Sequence, residues 1–149
     1  MKYKQLLILV FSCVFLFLEI IFHTLSANAR EISILTSKGM ISYSLEVADT
    51  PNRQQKGLMY RKNMPLNQGM LFDFPQPKPV YMWMKNTYIP LDMLFVDELG
   101  IVQHIHENAH PLDETIITCP VPVKYVIELN AGQVKDNHIQ IGNKIKDIE

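Results

Sequence analysis

The chain has 149 residues, of which 48% are hydrophobic, and its 14 basic and 15 acidic side chains give a formal charge of −1. This length suits one domain with one modest hydrophobic core. The near balance of charge argues against a nucleic-acid-binding protein, because such domains usually carry a basic patch.

The N-terminal segment has the composition of a targeting signal. Two lysines precede an apolar run over residues 6–22, in which Glu19 is the single charge, and Ala27-Asn28-Ala29 follows as an A-x-A motif. This pattern predicts a signal peptide over residues 1–29, cleaved before Arg30. An uncleaved membrane anchor is the alternative, and membrane contact is expected only if the segment is retained. We expect an exported protein of the periplasm or cell envelope of a bacterium.

The remaining residues, 30–149, are predicted to form a single domain. They carry 12 basic and 14 acidic side chains, because the N-terminal segment holds two lysines and one glutamate. Of the two cysteines, Cys13 lies in that segment and Cys119 is left alone, so no internal disulfide is expected. Cys119 stands among apolar neighbours, which favours a buried thiol over a reactive one.

The first elements after the signal are a hairpin and a helix. Residues 32–36 and 41–47 alternate apolar and polar side chains on either side of Ser37-Lys38-Gly39, as in a hairpin with one buried face. Asp49-Thr50-Pro51 then has the pattern of a capped helix start. We therefore predict one short helix near residues 52–60.

The rest of the chain predicts short strands separated by turns. The apolar run of residues 123–129, rich in β-branched side chains, predicts a central strand, and residues 131–137 predict one helical turn. Further strands are expected over residues 69–74, 80–84, 92–97 and 101–107, with an edge piece at 144–148. This spacing predicts a mainly β fold, a β-barrel or a β-sandwich with one short helix.

Several motifs along this region belong together. They are Gly57-Leu58-Met59-Tyr60-Arg61, residues 69–74, the run from Trp83 to Asp97, and residues 125–132. In combination they resemble the DUF192 or UPF0127 family of small prokaryotic proteins. The resemblance implies a small, mainly β and often exported domain, and it brings no established reaction. Asn143 departs from the family pattern, which has an acidic residue after the glycine.

Polar residues are concentrated around the only tryptophan, and they suggest a binding site. An aromatic wall with a few polar groups suits a small polar ligand or a carbohydrate. We therefore predict a non-catalytic binding or accessory protein that needs no cofactor. Its ligand-binding residues would be Arg53, Arg61, Trp83, Lys85, Asn86, Thr87 and Asp92. In the alternative interpretation, Asn86 and Thr87 bond the local backbone and Asp92 pairs with Arg61 or Lys85.

The sequence favours a binding protein over an enzyme, but two other functions remain open. It has no G-x-S-x-G, phosphate-binding glycine loop or H-E-x-x-H motif. A hydrolase would need Asp92 with a second carboxylate, for which Asp73, Glu107 and Glu128 are the candidates.

Copper(I) binding through Met82 and Met84 is the other alternative, since soft thioethers select that ion. The two imidazoles of His104-Ile105-His106 could contribute. Methionine between apolar residues is more often a core side chain, which argues against this alternative.

Overall fold

The computed structural model describes residues 29–149. The predicted signal peptide therefore lies outside the described residues, except for Ala29. Within the described part of the chain, no helix has the length and apolar character that a membrane span requires.

The described residues form one large sheet, one small sheet and two short helices. The elements are β1 (Ala29–Thr36), β2 (Gly39–Ala48), α1 (Pro51–Lys56), β3 (Gln68–Lys78), β4 (Tyr81–Met82), β5 (Leu91–Val96), β6 (Val102–Ala109), β7 (Ile117–Thr118), β8 (Val123–Asn130), α2 (Gln133–Asp136) and β9 (Ile145–Lys146). Seven strands pair in the order β6-β5-β8-β3-β2-β1-β9, while β4 pairs with β7. A bridge between Ile101 and Lys144 joins the two ends of the large sheet, which curves into a half-barrel. The predicted mainly β fold is confirmed.

The N-terminal hairpin follows from its sequence. β1 and β2 pair antiparallel from Ala29 opposite Glu46 to Thr36 opposite Gly39. The tight turn uses Gly39 at a φ of 106°, where a side chain would be strained. The Thr36 hydroxyl donates to the Gly39 carbonyl at 3.2 Å and accepts from the Lys38 amide at 3.1 Å.

The large sheet is apolar on both faces, so it has a separate core on each side. We call the first the cavity-side core, because a cavity between α1 and the loop after β4 lies on this face. Its sheet residues include Met70, Phe72, Phe74, Met93, Phe95 and Val126. We call the second the interior core, and its sheet residues include Tyr43, Leu45, Leu71, Leu94, Ile127 and Leu129. Along β3, β5 and β8, successive apolar side chains alternate between the two cores, because neighbouring side chains in a strand point to opposite faces. The segments between strands cover the cavity-side core, and α2 covers part of the interior core.

The centre of the sheet is closely packed. β8 lies between β5 and β3, which confirms the central strand predicted from its apolar composition. Gly69 of β3 allows this packing, because a Cβ there would lie 2.3 Å from the Glu128 carbonyl oxygen of β8. Only glycine lets the two backbones approach so closely.

Two short elements differ from the sequence prediction. The first helix ends at Lys56 and not near residue 60, since Gly57 takes a φ of 47° and its amide donates to the Arg53 carbonyl at 2.8 Å. This turn sends the chain back toward the sheet, where Leu58 is buried. The helical turn predicted over residues 131–137 is present as the four-residue helix α2, so the fold has two short helices and not one. The strand expected over residues 80–84 is limited to the two residues of β4.

Candidate functional site

One wall of the candidate site is α1, which side-chain hydrogen bonds fix against the sheet. Thr50 caps the helix by accepting from the Arg53 amide at 3.4 Å, and Pro51 occupies the first turn. The Gln54 side-chain amide donates to the carbonyls of Ala48 at 3.1 Å and Asp73 at 2.9 Å. These two bonds tie α1 to the end of β2 and the middle of β3.

The facing wall is the loop that follows β4, and backbone hydrogen bonds hold it. The Met84 amide donates to the Asp113 carbonyl at 2.8 Å, and the Leu112 amide donates to the Thr87 carbonyl at 3.1 Å. Thr87 is buried, and its hydroxyl donates to the Lys85 carbonyl at 3.3 Å. Trp83 stays 44% exposed, so part of its ring is available for contact.

The two walls are joined through a pair of residues in unusual backbone conformations. Tyr60 and Asn86 have φ angles of 65° and 54°. The Tyr60 amide donates to the Asn86 carbonyl at 2.8 Å, and the Asn86 side-chain amide donates to the Tyr60 hydroxyl at 3.0 Å. Tyr88 packs edge-on against Tyr60. Left-handed conformations are costly for a tyrosine, so these contacts must hold both loops in place.

A cavity of about 80 Å³ lies between the walls. This volume is room for a few water molecules or for one small functional group of a ligand. The lining residues are Gln54, Gln55, Lys56, Gly57, Leu58, Met59, Phe72, Tyr81, Met82, Trp83, Thr87 and Glu128. The cavity thus combines aromatic rings and thioethers with a few polar groups.

Glu128 of β8 provides the only carboxyl group among these lining residues. Its neighbours across the sheet are Met70 of β3 and Met93 of β5, so its side chain lies on the cavity-side face. Glu128 is 4% exposed, and no hydrogen bond or ion pair from the described residues reaches its carboxyl group. Burial raises the pKa of Glu128 to about 8. At neutral pH this carboxyl group therefore holds its proton.

The sequence predicts Glu128 only as a possible partner of Asp92. The signal for a separate role was a lone acidic residue inside the apolar run of the predicted central strand. A charged side chain in such a strand is expensive to bury, so its presence often indicates a function.

The structure brings some of the predicted site residues together and separates others. Trp83 and Thr87 line the cavity, and Asn86 joins its walls. The three predicted cations pair with carboxylates outside the lining: Arg53 with Asp49 at 3.0 Å, Arg61 with Glu46 at 2.6 Å and Lys85 with Glu114 at 3.8 Å.

Asp92 lies on the opposite face of the sheet, beneath the interior core. It is fully buried, and its two carboxylate oxygens accept from the backbone amides of Asn108 and Val134, each at 2.9 Å. No contact joins Asp92 to Arg61 or Lys85 within the described part of the chain. Its observed contacts position α2 and the end of β6.

The residues considered for a metal lie in packed surroundings. Met82 and Met84 belong to the cavity-side core, as does the free thiol of Cys119. Over residues 29–149, no group of three or more histidine, cysteine, aspartate or glutamate side chains is arranged to hold a metal ion. His104 packs against the Phe95 ring, with the ring centroids 5.6 Å apart.

Comparisons with known proteins point to one family. The model of the DUF192 family, described as an uncharacterized ACR, matches residues 33–146. The chain is similar to a structure from Sinorhizobium meliloti 1021, described as a candidate transcription regulator, with 45% identity and a TM-score of 0.77 over 79% of this chain and 92% of that one. It is also similar to a protein of unknown function from Novosphingobium aromaticivorans DSM 12444, with 34% identity and a TM-score of 0.77 over 79% of this chain and 84% of that one. No curated protein matches.

Proposed function

The chain belongs to the DUF192 family, and we propose that it is a non-catalytic binding protein. It would hold part of a small polar ligand in the cavity between α1 and the loop that follows β4, which carries Trp83. The observation that carries this proposal is the Glu128 carboxyl group, which lies at the cavity floor without a partner among the described residues. A largely apolar pocket with a few convergent polar groups is the usual form of a ligand site.

The geometry supports binding over hydrolysis by Asp92 with Glu128, one of the three second carboxylates that the sequence leaves open. Asp92 and Glu128 lie on opposite faces of the sheet, because Asp92 is opposite Leu129 and Met93 is opposite Glu128. Both oxygens of Asp92 are also occupied by backbone amides. Across the sheet, Glu128 lies in a row of paired residues that runs Glu46, Met70, Glu128, Met93 and His106. Glu46 is the other carboxylate in this row, and Arg61 already pairs with it. A hydrolase of this kind needs two carboxylates that flank one bond.

Binding can be tested through Trp83, because it is the only tryptophan in the sequence and lines the cavity. We expect at least one of four probes (glucose, glycerol, acetamide or ethylammonium chloride) to change its fluorescence saturably. The Glu128→Leu variant should lose the response, because the floor then offers no polar group.

The matched control is Glu46→Leu, which changes a carboxylate of the same row outside the cavity lining. It should respond as the natural protein does. The absence of a saturable response to every probe would contradict the proposal, and so would an unchanged response in a folded Glu128→Leu variant.

The N-terminal segment supports a further part of the proposal, namely that the protein works in the periplasm or cell envelope. The basic start, the apolar run over residues 6–22 and the A-x-A motif are the features of an export signal. Cell fractionation followed by N-terminal sequencing should find the protein outside the cytoplasm with Arg30 as its first residue. Recovery of an uncleaved chain from the cytoplasm would contradict export.

A further inference from the structure

We propose that the cavity binds the ammonium group of a small aliphatic amine, with Glu128 as its counter-ion. This inference deepens the proposed function and rests on it, since it names the ligand class of the same cavity.

The floor of the cavity lacks a positive partner. Glu128 is 4% exposed and lies between Met70 and Met93, which offer no strong hydrogen-bond donor. A buried carboxyl group in such surroundings is stable either in its neutral form or beside a cation. A ligand that brings an ammonium group would supply both the missing charge and the missing donors.

The partly or fully buried donors of Gln54, Gly57 and Thr87 are already committed, which disfavours a ligand that needs donors from the protein. Both hydrogen bonds donated by the Gln54 side chain go to backbone carbonyls. The Thr87 hydroxyl donates to the Lys85 carbonyl, and the Gly57 amide donates to the Arg53 carbonyl. The floor therefore suits a ligand that donates, and an ammonium group carries three donors and no acceptor.

The walls also favour a cation. Phe72, Tyr81 and Trp83 line the cavity, and the faces of aromatic rings attract ammonium groups. The thioethers of Met59 and Met82 add polarizable, weakly accepting surface. A short alkyl chain can pack on these side chains while its ammonium group reaches Glu128.

The charged and titratable groups on this side of the sheet include His104 on the Phe95 ring, Lys78 over the Phe74 ring and the buried thiol of Cys119. Lys56 and Tyr81 contribute to the lining from α1 and β4 and are themselves exposed. In the row of Glu128, Glu46 of β2 lies beyond Met70 and is paired with Arg61, while His106 of β6 lies beyond Met93. Burial is the cause of the raised pKa of Glu128.

The proton balance of binding follows from this arrangement. At neutral pH the free protein holds a protonated Glu128, and the amine arrives as its ammonium ion. Formation of the ion pair breaks the O–H bond of the carboxyl group and releases that proton to solvent. The ammonium ion keeps its own protons, so each bound amine replaces one proton in the cavity.

Isothermal titration calorimetry with ethylammonium chloride tests the inference, with ethanol as a neutral probe of similar size. A ligand of three heavy atoms is expected to bind with a dissociation constant of roughly millimolar order. Titrations in two buffers with different ionisation enthalpies should show close to one proton released per amine at pH 7. Because Glu128 must ionise first, affinity should rise about tenfold per pH unit up to about pH 8 and then level off.

The Glu128→Gln variant should lose at least about tenfold in affinity for ethylammonium, because the amide keeps the shape but cannot supply a counter-charge. Proton release should also disappear. Glu46→Gln should match the natural protein, and circular dichroism should show that both variants are folded.

Three outcomes separate the two proposals. Glu128-dependent binding of ethylammonium with proton release supports the inference. Glu128-dependent binding of ethanol, glycerol, acetamide or glucose, with no amine response, overturns the ammonium inference and leaves the proposed function standing. No response of Trp83 fluorescence or heat to any of the probes overturns both.

Discussion

Raising the pH from well below 4.5 to well above 8 is expected to lower the free energy of unfolding by about 5 kcal/mol through Glu128 alone. The pKa of Glu128 is raised by burial from 4.5 to about 8 in the folded protein. Between these values the folded state holds a proton that the unfolded state has lost, so folding takes up a proton. The stabilising contribution is therefore complete below about pH 4.5, is lost as the pH rises, and is gone above about pH 8. Each pKa unit corresponds to about 1.4 kcal/mol.

Urea unfolding at pH 5, 6, 7 and 8 measures this effect. Between these values the natural protein should lose up to about 1.4 kcal/mol per pH unit. Glu128→Gln should remove the contribution of this residue to the slope of the free energy of unfolding against pH, because its amide stays neutral at every pH. For the same reason it should be more stable than the natural protein at pH 8. Glu46→Gln retains Glu128 and should keep the slope.

A slope shared by Glu128→Gln and the natural protein would mean that Glu128 is not the group that titrates. Other titratable groups also face this side of the sheet. They are Lys56, Tyr81, Lys78, Glu46 with its partner Arg61, His104, His106 and Cys119. Their contribution is common to both proteins and cancels in the comparison.

Local sequence patterns predicted the strands well because their causes are local. The alternation in residues 32–36 and 41–47 produced a hairpin, and the turn residues fixed its register. Buried and exposed side chains also alternate from Met82 to Lys85, where Met82 and Met84 are buried and Trp83 and Lys85 are exposed. This alternation persists beyond the two residues of β4, because the loop packs one side against the cavity-side core.

The candidate site was predicted only in part because its remaining contacts are distant in sequence. Glu128 lies at the floor of the cavity for two reasons. Its pairing with Met70 and Met93 places its side chain on the cavity-side face, and α1 covers the same face. None of these relations is visible in the run around Glu128 itself. Trp83 and Thr87, which line the cavity, stand out in the sequence through their aromatic and polar character.

The role of Asp92 also depends on contacts that are distant in sequence, and here the local sequence suggested a binding residue where the structure shows a structural one. Its type and its neighbourhood in the sequence suggested a ligand-binding residue, whereas its observed partners are backbone amides 16 and 42 residues further along the chain. The position of an acceptor relative to distant amides depends on the whole topology. A buried aspartate can therefore organise the fold while it resembles a site residue in the sequence.

Asp92→Ala is expected to lower the free energy of unfolding by about 4 kcal/mol. The substitution leaves the backbone amides of Asn108 and Val134 without their acceptor, and each unsatisfied buried donor costs about 1–3 kcal/mol. Asp49→Ala is the control, because Asp49 is exposed and pairs only with Arg53 at the surface; its effect should stay within about 0.5 kcal/mol.

Two measurements on the variants at pH 7 together separate a structural role of Asp92 from a role in binding. They are urea unfolding and the titration with ligand probes that is followed by Trp83 fluorescence. Because Asp92 lies beneath the interior core, on the face of the sheet away from the cavity, its folded alanine variant should keep the ligand response of the natural protein. If Asp92→Ala is as stable as the Asp49→Ala control but no longer responds to ligand, Asp92 is a binding residue. Lost stability with a retained response assigns Asp92 to the fold and leaves Glu128 as the carboxyl group of the cavity.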